Sequence, residues 1–384
     1  MSNLFENYGR WDIEIVSGSG TKVYDAEEKE YLDFTSGIGV CNVGHCNPQV
    51  VAAMEAQINK LWHTSNLFIH SLQEEVAGKL VQHSMGSAVF FCNSGAEANE
   101  AAIKLARKYT GKSKIITFNQ SFHGRTLGTI AATGQDKVKE GFGPLLETFI
   151  HLPFNDLAAL ENELDHETAA VMLEVIQGEG GVNPAEEAFI QGVDKLCKEK
   201  DILLIVDEVQ TGIGRTGKAF GYQHYHISPD IITSAKGLGN GFPTGAMIGT
   251  DKVKTAFNPG SHGSTFGGNP LAMAAANATL DIVMNETFLA EVEEKGYYLS
   301  EKLADIFADI PEFMANRHKG LIMGFEFSTE VSTVVSLLRK NGLLVITAGP
   351  NVIRLLPPLT VTYEEINEAL KIVHHTLLEL KQLT

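Results

Sequence analysis

Residues 229–241 read Pro229-Asp230-Ile231-Ile232-Thr233-Ser234-Ala235-Lys236-Gly237-Leu238-Gly239-Asn240-Gly241. A short apolar run of strand character delivers one lysine, Lys236, into a glycine-rich turn. Apolar surroundings disfavour an ammonium group, so a lysine held there has a lowered pKa and becomes a usable nucleophile. Schiff-base formation with a carbonyl is the chemistry such an amine does best. Taken alone, the stretch reads more simply as a solvated lysine after a strand, since lysines are mostly exposed and glycines mostly mark turns. Its meaning is decided by the sequence on either side.

From residue 88 a rhythm runs through this stretch. The apolar runs 88–92, 114–118, 169–175, 202–206, 231–233 and 246–249 have strand character, and helical patterns fill several gaps, notably 96–109 and 185–200. Continuous apolar strands alternating with helices predict an α/β fold with a mostly parallel sheet covered on both faces. Ahead of it, 21–25 and 30–34 predict a small hairpin, and 48–62 and 71–83 predict amphipathic helices, with Pro48 suited to a first turn. Beyond about residue 270 the pattern changes to long helices (270–284 and 288–310), strands near 320–327, 343–346 and 352–356, a helix near 330–341 and a last helix from Tyr363. That mixture predicts a smaller α+β domain. The expected division is 1–45, a segment packing with the small domain, 46–270, the large domain, and 271–384, the small domain.

Composition narrows the function. The 384 residues are 44% hydrophobic and 20% charged, as in ordinary globular chains. Thirty Lys+Arg against 47 Asp+Glu give −17, which argues against nucleic-acid or anionic-membrane partners. An anionic ligand must then be gripped by a few local arginines and backbone N–H groups. Cys41, Cys46, Cys92 and Cys197 show no CxxC pair and no metal spacing, which predicts reduced, buried thiols and no metal. No leader pattern and no run near the ~18–20 apolar residues of a membrane span is visible, so a soluble cytoplasmic protein is expected.

Ligands of doubly wound sheets bind outside the carboxyl ends of the strands, and here each predicted strand runs into a polar cluster. Run 88–92 leads to Asn93-Ser94-Gly95-Ala96-Glu97, where Ser94 and Glu97 have capping-box spacing. A strand, a Ser-Gly turn and a helix N-terminus suit a phosphate, although a plain helix cap reads as well. Run 114–118 leads to Phe122-His123-Gly124-Arg125, an aromatic that could stack on a planar ring beside an arginine that could grip a carboxylate. His123 is read as structural before it is read as a base. Run 169–175 leads to Gly178-Glu179-Gly180, an exposed loop or an acid at a pocket mouth. Run 202–206 ends in Asp207, costly to bury without a cationic partner. A pyridinium N–H is such a partner, and pyridoxal phosphate is the protein-bound aldehyde that would join Asp207 to Lys236. The 29 residues between them are one β-α-β step, which predicts neighbouring strand ends.

With NSGAEANE, SFHGRT, QGEGG, DEVQTGIGRTG, SAKGLGNGFP, HGSTFGGNP and VIRLLPPLT, the chain resembles the class III pyridoxal-phosphate aminotransferases over essentially its whole length. The resemblance implies fold type I, as in aspartate aminotransferase, and pyridoxal 5′-phosphate as cofactor. It implies that Lys236 carries the cofactor and shuttles a proton. It places Asp207 on the pyridine nitrogen, Gln210 near the ring hydroxyl and Phe122 on the ring, with Glu208 and Val209 in the same cofactor-binding stretch. Gly95 and Ala96 would give N–H groups to the phosphate. Thr265 would reach the phosphate of a neighbouring subunit's cofactor, hence a homodimer.

The resemblance also implies substrates. Arg125 and Ser264 would hold N-acetyl-L-ornithine, and Arg354 the α-carboxylate of glutamate or 2-oxoglutarate. Glu179 would pair with Arg354 when the distal amine donor enters. Ile38, where ornithine-specific members carry tyrosine, and residues 62–68 favour the acetylated donor in a ping-pong reaction of arginine biosynthesis. Ornithine, succinylornithine or 4-aminobutyrate as donor, or an aminomutase or racemase on the same cofactor, are the alternatives. A nicotinamide enzyme is excluded by the lack of a G-x-G-x-x-G after an early strand.

Overall fold

In the computed structural model, which describes residues 3–383, seven strands form the central sheet: β1 (Ala88–Cys92), β2 (Lys114–Phe118), β3 (Phe149–Leu152), β4 (Thr168–Leu173), β5 (Leu203–Asp207), β6 (Ile231–Ser234) and β7 (Gly245–Gly249). Their spatial order is β1-β7-β6-β5-β4-β2-β3. All neighbours are parallel except β7, which runs antiparallel to both β6 and β1. Strands β4 to β7 are buried at every position. This is the double cover that continuous apolar runs require, because a parallel sheet takes helices on both faces.

The strand reading therefore holds for six members and misses β3. That strand is a four-residue edge strand beside β2, introduced by a Gly/Pro loop and carrying His151, so it lacks the long apolar run of a central strand. The helix Gly95–Thr110 covers the sheet with seven buried residues and ends on Gly111 in the left-handed conformation, a typical glycine C-cap. The helix expected over 48–62 stops at Ile58; Asn47 caps its start through the N–H of Gln49, and Pro48 occupies the first turn.

Three strands, Ile15–Ser19, Lys22–Asp25 and Glu30–Asp33, form the N-terminal meander, one more than the expected hairpin. Leu343 and Leu344 add to it in parallel beside Leu32 and Asp33, so the two ends of the chain share a sheet. A second four-stranded sheet contains Phe313–Lys319, Ile322–Phe327, Val352–Leu355 and Ile346–Thr347. Its first strand, Phe313-Met314-Ala315-Asn316-Arg317-His318-Lys319, is only half-covered and too polar to stand out in the sequence. All four cysteines are unpaired; Cys92 and Cys197 are buried as expected, but Cys46 is exposed and Cys41 half-buried. Cys46 sits at φ +48 in the turn ahead of the Asn47 cap, which leaves it outside the core.

The helix Glu286–Phe307 packs on the hairpin Phe313–Phe327 through Gly296, where a Cβ would lie 2.1 Å from the Gly320 carbonyl oxygen. Gly296→Ala gains about 1 kcal/mol of helix propensity. It loses more by forcing helix and hairpin apart. A net destabilisation of roughly 1–3 kcal/mol is expected, read as a lower unfolding temperature.

Candidate active site

Parallel strands bring their carboxyl ends to one edge, and the reversed β7 brings its amino end there as well. In register, Val206 stands beside Leu173 and Asp207 beside Thr233. Glu174, Asp207 and Lys236 therefore emerge together, with Thr244 facing them from the start of β7. They line a cavity of about 450 Å³ with Gly95, Ala96, Phe122, His123, Arg125, Glu179, Val209 and Gln210.

Each wall has a local cause. Ser94 accepts from the N–H of Glu97 at 3.2 Å, and Glu97 reaches back to the N–H of Asn93 at 2.5 Å, which opens the helix of Gly95 and Ala96 toward the cavity. Gly95 is obligatory, since a Cβ there would lie 2.7 Å from Val209 Cγ1. Lys236 has φ +41, an uncommon backbone state for a residue with a side chain, and Gly237 beside it leaves no room for a Cβ against Asn42 Nδ2 at 2.2 Å. The Lys236 amine makes no hydrogen bond or ion pair among the described residues. It is half-buried and lines the cavity.

Asp207 is 3% exposed and fully engaged. Its Oδ2 lies 2.8 Å from His123 Nδ1 and accepts from Asn99 Nδ2 at 2.8 Å, while Oδ1 accepts from the N–H of Val209 at 3.0 Å. Asn99 is itself fixed by the Thr233 hydroxyl at 2.7 Å. His123 is thus a structural partner of Asp207, as its sequence context indicated. Burial opposes its cation, but the hydrogen bond and charge of Asp207, helped by Glu174, hold its pKa above the ordinary value. Burial first, helped by the Arg354 charge, holds Lys236 below the usual lysine range against the pull of Glu179, Glu174 and Asp207.

Arg354 is 2% exposed and grips Glu179 with both nitrogens, Nη1 to Oε1 at 2.8 Å and Nη2 to Oε2 at 3.2 Å. Its Nη1 also donates to the Gly178 carbonyl at 2.8 Å. Burial favours the neutral acid at Glu179, but the Arg354 charge prevails and holds its pKa below the carboxylate norm. Gln210 Nε2 donates to the same Glu179 oxygen at 3.3 Å. Arg125 differs sharply. Its guanidinium lies 5.6 Å from the Phe122 ring centroid and makes no hydrogen bond or ion pair among the described residues.

Four residues picked out from sequence lie elsewhere. Glu208 follows Asp207 but its side chain points away from the cavity, accepting from the N–H groups of Gly221 and Tyr222 and from the Thr211 hydroxyl. Ile38 is 44% exposed, and Val40 takes the place at the cavity wall. Ser264 lines a neighbouring groove and Thr265 a small recess with His63 and Asn66, both apart from Lys236 within one chain. Glu174 was missed. It sits inside the apolar run 169–175, the same signal that exposed Asp207, and its Oε1 accepts from the N–H of Phe122 at 2.9 Å.

The residues present fit pyridoxal 5′-phosphate. Among the described residues, the cavity offers an amine without a hydrogen-bond partner, open N–H groups at a helix N-terminus, an aromatic face, a buried carboxylate and the buried, unpartnered Thr244 hydroxyl. Such a cavity at the carboxyl edge of this sheet defines the pyridoxal-phosphate enzymes of fold type I. Residues 6–377 match the family model described as Aminotransferase class-III. The chain is 58% identical over 372 residues to an acetylornithine aminotransferase of Bacillus cereus, covering 97% of this chain and 96% of that protein. It is 59% identical over 384 residues to one of Bacillus subtilis, covering 98% and 99%. The crystal structure of the ornithine aminotransferase from Toxoplasma gondii superimposes with a TM-score of 0.95 at 32% identity, covering 100% of this chain and 94% of that one. The chain belongs to the class III aminotransferases, and pyridoxal 5′-phosphate is its cofactor.

Burial first, then the Asp207 charge, pushes Glu174 up to about 7. A carboxyl whose folded pKa is raised loses stability as pH climbs from its ordinary 4.5 through that value, the reverse of a salt-bridged acid. Glu174→Gln keeps an acceptor for Phe122 and removes the charge. It should be more stable than the parent by ~1–3 kcal/mol at pH 8.5. The gain should shrink as thermal unfolding is repeated at lower pH; a constant gain would tie it to packing instead.

Proposed function

We propose that the chain transfers the 5-amino group of N-acetyl-L-ornithine to 2-oxoglutarate, in two half-reactions through one cavity. The observation that carries this reading is the contrast between its two arginines, one masked by Glu179 and one open. A donor that reacts through a distal amine must present its carboxylate far from the reacting carbon, where Arg125 is available. Glutamate and 2-oxoglutarate react at the α-carbon and need a second grip close by, which Arg354 becomes once Glu179 swings away. The donor named for the bacilli relatives supports the acetylated substrate; Ser264, apart from Lys236 within one chain, would be its second contact from a second subunit. The similarity to an ornithine enzyme makes the unacetylated donor the alternative to test.

Pyridoxal phosphate, when bound, supplies the electron sink that makes the carbon bearing the amine acidic. Lys236 would hold the group and move the proton at that carbon, a task its lowered pKa suits. Asp207 would keep the pyridine nitrogen protonated, with His123 and Asn99 fixing its Oδ2. Phe122, Val209 and Gln210 line the cavity and would contact the ring. Gly95 and Ala96 offer N–H groups to the phosphate.

Thr265 completes the phosphate site from a second subunit in our reading, which accounts for its distance from Lys236 within one chain. The unit is then a homodimer, acting in the cytoplasm on soluble amino acids. We also read 46–270 as the cofactor domain and 271–384 as the small domain. The pairing of Leu343 with Leu32 supports grouping 1–45 with the latter.

Lys236→Ala should cut transamination at least roughly a thousandfold and abolish the visible absorbance of lysine-bound cofactor. Retained turnover would refute its role. Initial rates with acetylornithine, ornithine and 4-aminobutyrate at fixed 2-oxoglutarate should strongly favour the first. Arg125→Ala should lower kcat/KM for acetylornithine roughly ten- to a hundredfold and spare glutamate. Equal losses would reduce Arg125 to a shaping role.

A further inference from the structure

The loop that carries Arg125 is held from outside itself. Thr126 is the N-cap of the helix Leu127–Ala132, yet its side chain makes no cap bond. The cap comes from Glu100, on the helix Gly95–Thr110. Its Oε1 accepts from the Thr126 hydroxyl at 2.5 Å and from the N–H groups of Gly128 and Thr129, both at 3.1 Å. The approach is so close that a Cβ on Gly128 would lie 2.4 Å from Glu100 Oε2.

The same helix face also holds the loop that carries Ser264. One turn before Glu100, Glu97 binds the N–H of Asn93, whose Nδ2 donates to the Ser264 hydroxyl at 3.3 Å. One turn after it, Lys104 Nζ lies 2.8 Å from Nδ1 of His262, two residues from Ser264. Residues three and four apart on a helix share a face. One rigid element thus sets the spacing of two loops.

Among the described residues Arg125 has no hydrogen bond to fix it, only the Phe122 ring. Its aim depends on where the turn at 126–129 is pinned. We infer that Glu100 is a positioning residue for amine-donor selection, fixing the place of Arg125 through Thr126, Gly128 and Thr129. The inference rests on the reading of Arg125 as the grip for the donor's distant carboxylate. Geometry of this kind matters because a misplacement of about 1 Å can cost two orders of magnitude in rate.

The test compares Glu100→Ala, Glu100→Gln and Arg125→Ala in the cofactor-loaded enzyme. KM and kcat are measured separately with acetylornithine and with glutamate, and hydrogen exchange is followed at the amides of Gly128 and Thr129. Glu100→Ala should raise KM for acetylornithine roughly tenfold with glutamate constants within about twofold, and should speed exchange at both amides. Glu100→Gln keeps an accepting oxygen and should recover most of the loss. Equal losses with both donors, or unchanged exchange in Glu100→Ala, overturn the inference. If Arg125→Ala discriminates between the donors and Glu100→Ala does not, the inference alone falls. If Arg125→Ala leaves the acetylornithine preference intact, the donor reading falls and takes the inference with it.

Discussion

The carboxylate of Asp207, buried at the end of five buried residues, is the constraint from which the site follows. Left unpaired, such a charge would cost several kcal/mol. The fold meets that cost with directional groups on three neighbouring elements: His123 from the loop after β2, Asn99 from the helix Gly95–Thr110, and Thr233 on β6, which orients Asn99. None of these could be supplied by one strand. The parallel sheet, the crossover helix and the loop must close together before the charge is tolerated, so the chemistry and the assembly of the sheet are one event. A group fixed on this many sides reorganises little, which is the condition under which electrostatic stabilisation is effective.

The arginines obey the opposite logic. Arg354 is too deeply buried to stay unpaired, and Glu179 neutralises it through two contacts; Arg125 lies toward solvent, where a guanidinium needs no partner. A masked cation and an open one in the same cavity cannot favour the same substrate at once. Unmasking Arg354 requires Glu179 to leave, and Glu179 is the half-exposed member, on a loop bounded by Gly178 and Gly180. Gly178 lets Gln210 close over the pair, since a Cβ there would lie 1.8 Å from the Gln210 oxygen. In the proposed reaction the carboxylate is thus the partner that would move, while the arginine stays where the strand Val352–Leu355 puts it.

What the sequence made legible follows the strength of each physical signal. Central strands buried on both faces leave unbroken apolar runs, so β1, β2 and β4 to β7 could be read, as could the polar residues at their ends. The edge strand β3 is four residues broken by His151, and the half-covered Phe313–Lys319 turns polar after Ala315, so neither carries such a run. Glu174 was hidden because a carboxylate inside an apolar run was taken with the run. The departure of Glu208 from Asp207 was equally unreadable, since consecutive residues at a strand end face opposite ways. The positive φ of Lys236 also left no trace, because only a glycine would have announced it.

That last feature connects the parts. Backbone strain of order 1–3 kcal/mol persists only where the surroundings over-determine it. Around Lys236 they do: Ser234 is locked in β6 against Ala246, Gly237 lies hard against Asn42, and Asn42 is gripped by the buried Arg215 at 2.8 Å. Arg215 in turn donates to the carbonyls of Leu321 and Pro357, in the C-terminal part of the chain. The residue at the centre of the cavity is therefore held in its unfavourable conformation by contacts from both ends of the sequence. Loosening either end should release the strain before it unfolds the sheet, so the amine would lose its aim while the fold remained.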